Sequence, residues 1–238
     1  MNTVSIGYFC VFLIESSAIG AGTVHTEKAR YLRPAGKQFA TECEFTLTRA
    51  GKESTTESVT YRGQTKMSVT ARHDDKGMLA TAEVVLWTGE QKKSAQVKVA
   101  GGKAKVQREA QPVQEFEAAP GVIVTSAPDW TDTFLLCRRY DRNKGGKQQF
   151  AGLWIHPVES SQHLTFTIEK QGQAVIEHAG RKLTLDRLAI WLRGNSAYAA
   201  WTDGEGRMIK LLPLPTKEGA TNWLVLQGYE MSAAGLRP

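Results

Sequence analysis

Glycine-bearing turns recur along this chain at intervals of about ten residues, between runs in which apolar and polar side chains alternate, and such punctuation confines a chain to antiparallel hairpins. Ala50-Gly51-Lys52, Arg62-Gly63-Gln64, Thr88-Gly89-Glu90 and Ala100-Gly101-Gly102-Lys103 are turns of this kind, and His73-Asp74-Asp75-Lys76-Gly77 is a longer one. The clearest comes late, where two β-prone runs flank Asp203-Gly204-Glu205-Gly206. There Asp-Gly supplies residues that tolerate the positive φ of a tight hairpin. A chain punctuated in this way is a β-meander.

Residues 38–48 read as the cleanest strand, with Phe39, Thr41, Cys43, Phe45 and Leu47 on one face. Further strands are expected around Val59 and Tyr61, then over 66–72, 78–87, 94–99 and 104–108. They resume over 150–156, 163–170, 174–177 and 181–192, continue through the Trp201 hairpin, and end with 222–227. The tail 232–238 reads as frayed. One segment breaks the pattern. Ser126 suits a helix N-cap, Pro128 the first turn, and Trp130, Phe134 and Cys137 recur on one helical face. Arg138-Arg139 sit where the helix dipole favours cations, and Asn143-Lys144-Gly145-Gly146 ends the segment. The expected fold class is therefore mainly all-β: a long curved antiparallel meander or half-barrel with one helix packed against it.

A chain of 238 residues suits one β-rich domain, and neither a dividing linker nor a fixed-period repeat is visible. That domain is expected to cover 23–238, because residues 1–22 resemble a signal peptide. Ile6 to Ile14 form a nine-residue apolar run, followed by a small-residue stretch over 16–22. This is the size and order of a secretory core and cleavage region, and it is too short to span a bilayer. No Lys or Arg precedes the run and Glu15 follows it directly, which departs from the usual leader. A buried N-terminal strand and an uncleaved anchor are the alternatives. The expectation is cleavage near Ala21 and export to the periplasm or cell envelope.

Lysines and arginines outnumber acids 30 to 24, but the cations are scattered rather than set in a stripe with stacking aromatics. That pattern excludes a nucleic-acid groove and allows only weak attraction to anionic lipid or polysaccharide. Apart from Cys10 in the apolar run, the cysteines are Cys43 and Cys137. In an oxidising compartment they are a candidate disulfide, and otherwise two separate buried thiols.

Positive signs of catalysis are missing. The five histidines form no His-Glu-x-x-His pair; His156 and His163 flank a turn with Glu159, and surface hairpin histidines explain them better than a metal does. No Gly-x-Ser-x-Gly elbow or phosphate loop is present. Asp129 and Asp132 could be imagined as a glycosidase pair, but acids near a helix start are commonly capping groups. No cofactor or metal is expected. The six tryptophans are core residues or stacking platforms. Trp130, on the helix face that must meet the sheet, is the preferred ligand-binding candidate together with Phe134.

Three stretches resemble a loose group of uncharacterised exported bacterial proteins, domain-of-unknown-function families with long curved antiparallel sheets. They are Tyr31-Leu32 with Gly36-Lys37, the run from Phe134 to Asp141, and the run from Trp201 to Leu211. The resemblance implies a half-barrel wrapped around a helix, similar to the periplasmic lipoprotein carriers. It implies no catalytic residues. The expectation for function is a non-enzymatic exported carrier or binding module for a lipid-like or amphipathic ligand. The rivals are a hydrolase of envelope polymers and a structural envelope protein that binds other proteins along its sheet edges.

Overall fold

A computed structural model of the chain describes residues 23–127, 129–214 and 222–237, with only the backbone of 195–197. The expected leader lies outside the described residues. Among those described are fifteen strands and one helix. In chain order they are β1 (Val24–Ala35), β2 (Gln38–Ala50), β3 (Glu53–Arg62), β4 (Thr65–His73), β5 (Leu79–Thr88), β6 (Gln91–Ala100), β7 (Lys103–Arg108), β8 (Gln114–Glu117) and β9 (Ile123–Thr125). Then come α1 (Thr131–Arg139), β10 (Gln148–Trp154), β11 (Gln162–His178), β12 (Arg181–Leu192), β13 (Asn195–Thr202), β14 (Met208–Pro213) and β15 (Leu224–Leu226).

Two meanders share one sheet, joined where β1 pairs with β2 on one side and β15 on the other. One edge is β8 and the other is β9, which pairs parallel to β10; all other neighbours are antiparallel. Seven of the hairpins close through two-residue loops, whereas β4–β5, β7–β8 and β13–β14 use five residues and β10–β11 seven. At Gly101-Gly102, Ala179-Gly180 and Arg193-Gly194 both loop residues have positive φ, the geometry whose twist matches the flanking strands.

Alternation sets the inner face. On β4, Met67, Val69 and Ala71 are buried while Lys66 and Arg72 face outward. The sheet curls until its edges approach. Arg108 of β7, itself buried, donates from Nε to the His156 carbonyl at 2.8 Å, from Nη1 to Gln114 at 2.8 Å, and from Nη2 to Ser161 Oγ. Phe116 of β8 meets the His163 ring edge-on at 5.5 Å. Side chains thus close a seam that no backbone ladder crosses, and Val97 and Val106 share one apolar cluster with Leu153 and Ile155. A second, larger cluster joins β1, β2 and β11–β15 to α1. The fold is the expected curved antiparallel sheet with one helix packed against it.

Several local expectations change. The helix starts at Thr131, and Ser126 does not cap it: its buried Oγ has no hydrogen-bond partner, while Asp129 Oδ2 accepts from Thr131 N at 2.8 Å. Phe39 and Thr41 do not share the buried face of Cys43, Phe45 and Leu47. The β1–β2 register steps from Tyr31–Cys43 to Leu32–Thr41, so Glu42 is an extra residue that interrupts the alternation. Glu42 is buried there, paired with Arg33 at 2.8 Å and Arg62 at 3.2 Å. Residues 163–170 and 174–177 belong to one strand, β11, bent by a shift between Lys170 and Gly172. The tail packs as well. Lys210 Nζ donates to the carbonyls of Ala233 (2.8 Å) and Leu236 (3.0 Å), and both residues are buried.

The late hairpin forms as read, but with a different glycine in the left-handed region. Asp203 Oδ1 accepts from Glu205 N at 3.0 Å and Arg207 N at 2.9 Å, and Gly206, not Gly204, has the positive φ (80°). A Cβ on Gly206 would lie 2.9 Å from the Cys137 carbonyl oxygen, so this turn also seats the last turn of the helix.

Candidate functional site

The helix organises two environments, one at each end. At its N-terminal end the inner face of β3 carries hydroxyls, since Thr56, Ser58 and Thr60 are all buried. They meet a pair of acids. Ser58 Oγ donates to Asp129 Oδ1 at 2.6 Å and Thr60 Oγ1 to the same oxygen at 3.3 Å. Asp132 accepts from Thr125 Oγ1 at 2.5 Å and Thr133 N at 2.6 Å. Burial raises the Asp129 carboxyl above its usual range and pushes Asp132 up to about 6, with the Asp129 charge adding to the second shift. These acids are occupied in fastening the helix to β3 and β9. Each carboxylate accepts from protein donors, which anchors the helix start.

Between the ends lies packed core. Phe134 is buried, stacked on Tyr31 at 4.4 Å and edge-on to Phe45 at 5.0 Å. Trp130 is buried too, edge-on to Tyr198 at 5.7 Å with the Arg62 guanidinium over its ring. Both ligand-binding candidates thus pack within the core cluster, and neither lines the cleft at the C-terminal end of the helix. Cys43 and Cys137 are free thiols, so the candidate disulfide is not formed. Cys43 sits opposite Tyr31 in the β-ladder and Cys137 on the helix, both buried. Burial raises the Cys43 thiol and pushes Cys137 up to about 12, which leaves both protonated and unreactive.

At the C-terminal end of the helix is a surface cleft of about 560 Å³. Ser54, the second residue of β3, pairs with His73, which ends β4, and both line it. Gly77, Pro120 and Gly121 supply loop walls, and Gln149, Phe150 and Ala151 of β10 complete the lining. Arg139, the last helical residue, enters from the core side. Its Nη1 donates to the Gly121 carbonyl, and its Nη2 lies 3.4 Å from His73 Nε2. A guanidinium has no acceptor, so Nε2 must accept, which places the imidazole proton on Nδ1. Burial, and the Arg139 charge beside it, push His73 down to about 4, so the ring is neutral near pH 7. No carboxylate lines the cleft. It is a mixed surface with one fixed cation, neutral hydrogen-bonding groups and an apolar wall from Phe150, Ala151 and Pro120.

His73 reads as a turn residue in sequence, and its Asp74 neighbour does hold a turn, accepting from Lys76 N and Met78 N at 2.9 Å. That His73 also faces Arg139 follows only from the β3–β4 register and the helix position. His156 and His163 go separate ways. His156 Nδ1 accepts from Val158 N at 3.3 Å, while His163 packs on Phe116. Among the described residues, no group of His, Cys, Asp and Glu is arranged to hold a metal ion.

No family model and no curated protein matches the chain. Among solved structures it is similar to a β-barrel-like protein of domain of unknown function DUF1849 from Brucella abortus. That likeness has 10% identity and a TM-score of 0.49, covering 87% of this chain and 96% of the other. It is also similar to a DUF1089 family protein from Pseudomonas aeruginosa, with 12% identity and a TM-score of 0.41, covering 74% of this chain and 92% of that one. Both neighbours are domain-of-unknown-function proteins, the kind of family that the stretches at Tyr31, Phe134 and Trp201 resemble.

Proposed function

We propose that this chain is a non-enzymatic binding or carrier protein of the periplasm or cell envelope, and that it holds a small amphipathic molecule in the cleft beside the helix C-terminus. The observation that carries the reading is the lining of that cleft. Its volume of about 560 Å³ falls in the range of small-molecule sites. The lining combines apolar Phe150 and Ala151 with polar Ser54, His73, Arg139 and Gln149, with no acid among them. A molecule with an apolar body and a polar end suits such a surface. Hydrolysis of an envelope polymer would ask for a nucleophile or a pair of acids at the opening, and Asp129 and Asp132 are instead engaged at the far end of the helix. Export rests on the apolar run from Ile6 to Ile14.

Displacement of an environment-sensitive apolar dye tests the reading. Gln149 is exposed at the rim, so Gln149→Trp should fill the cleft while leaving the core intact. The wild type should bind the dye and release it to long-chain amphiphiles, and Gln149→Trp should bind it weakly. Equal binding by both proteins would place the dye elsewhere and count against the cleft.

A further inference from the structure

Three arginines follow one another around the helix C-terminus, and the fold provides carboxylates for two of them. Arg138 pairs with Glu27, and Arg142 pairs with Asp186 at 2.9 Å. Arg139 makes no ion pair among the described residues; its protein partners are the Gly121 carbonyl and the neutral His73 ring. Of the five guanidinium N–H groups, these contacts take two and leave three without a protein acceptor. A cation held partly out of water without a counter-charge is costly, and an anion that completes its hydrogen bonds recovers that cost. The open side of Arg139 is the cleft, where Ser54 and Gln149 add neutral donors and no carboxylate competes.

We infer that Arg139 receives the anionic headgroup, a carboxylate or phosphate oxyanion, of the amphipathic molecule held in the cleft, with the apolar body lying along Phe150 and Ala151. The inference rests on the binding reading above and specifies its ligand class. Arg139 acts through a planar pair of N–H groups matched to two oxygens of the anion. His73 orients it: by accepting from Nη2 and staying neutral, the imidazole fixes the guanidinium plane without supplying a second charge.

Titration calorimetry with dodecanoate, dodecyl phosphate and dodecanol tests this on the wild type, Arg139→Gln and Arg139→Lys. The wild type should bind at least one of the two anions about tenfold or more tightly than dodecanol, the size expected for hydrogen bonds to a charged group. The anion preferred identifies carboxylate or phosphate as the source. Arg139→Gln should bring the anions down to the affinity of dodecanol while leaving dodecanol unchanged. Arg139→Lys should keep part of the preference. If the wild type binds dodecanol as tightly as both anions, the headgroup assignment is overturned and the binding reading stands. If none of the three binds, both fail. Should Arg139→Gln not fold, as a thermal melt would reveal, the comparison on the wild type alone still decides.

Discussion

Tyr31 of β1 and Phe134 of α1 stack with ring centroids 4.4 Å apart and planes 15° apart, and this contact fixes the helix to the strand that joins the two meanders. The Tyr31 hydroxyl, buried, donates to the Met208 carbonyl on β14 at 3.1 Å, so one side chain links β1, the helix and the late hairpin. A nine-residue helix is too short to persist alone in water, and its stability comes from this docking.

Phe134→Ala should therefore cost about 3–5 kcal/mol in urea unfolding, as expected for an aromatic removed from a packed core. Tyr31→Phe keeps the stack and should lose only about 1 kcal/mol, the value of one buried hydrogen bond. A loss below about 1 kcal/mol for Phe134→Ala would mean that the ring is not packed as described.

The late hairpin separates two glycines that look alike in sequence. Gly206 has φ +80° and the backbone of Cys137 and Arg138 within 3.1 Å of a would-be Cβ, whereas Gly204 has open space around it. Gly206→Ala should cost about 2 kcal/mol or more, and Gly204→Ala should stay within about 0.5 kcal/mol of wild type. Thermal melts of the two variants check the contrast, and equal losses would contradict it.

Stability should respond to pH through two groups of opposite sign. His73 is lowered to about 4, so the stability it contributes is present above its unfolded value of 6.5 and is lost as pH falls from 6.5 toward 4. Between pH 7 and 4.5 this amounts to about 2 kcal/mol, a loss that His73→Gln should lack. Asp132 is raised to about 6, so its contribution is complete below 3.8 and is lost as pH rises through 6. Allowing for its partial exposure, Asp132→Asn should remove about 1 kcal/mol of that loss between pH 4.5 and 7. Urea midpoints at the two pH values, read for each variant against wild type, give both slopes. Slopes of the same sign would refute the assignment.

Cys43 and Cys137 should both titrate as free thiols in denatured, unreduced protein, and both should resist a thiol reagent in the native state because they are buried and protonated. A thiol count that omits either residue would show a bridge that the fold described here does not contain.

The hairpins were legible because each rests on local chemistry: a turn residue, then alternation such as that of Met67, Val69 and Ala71. Local pattern falls short where partners distant in sequence decide. β1 gives no clear strand signal, because its inner face of Ala29 and Tyr31 is short of apolar residues and depends on pairing with both β2 and β15. β8 and β9, with four and three residues, carry too little pattern to recognise. The bulge at Glu42 turned Phe39 and Thr41 away from the core, and nothing local marks it, since its cause is a buried acid held by Arg33 and Arg62. The cleft was invisible for the same reason. Trp130 and Phe134 sit on the face that meets the sheet, whereas the cleft lies at the C-terminal end of the helix, around an arginine that sequence alone reads as a partner of the helix dipole.

Native mass spectrometry of the protein isolated from its own cell envelope would read a bound amphiphile itself. The wild type should show a species heavier than the polypeptide by the mass of one acidic amphiphile, and Gln149→Trp should lack it. A wild-type spectrum showing the bare polypeptide alone, under conditions that keep the protein folded, would contradict the binding reading.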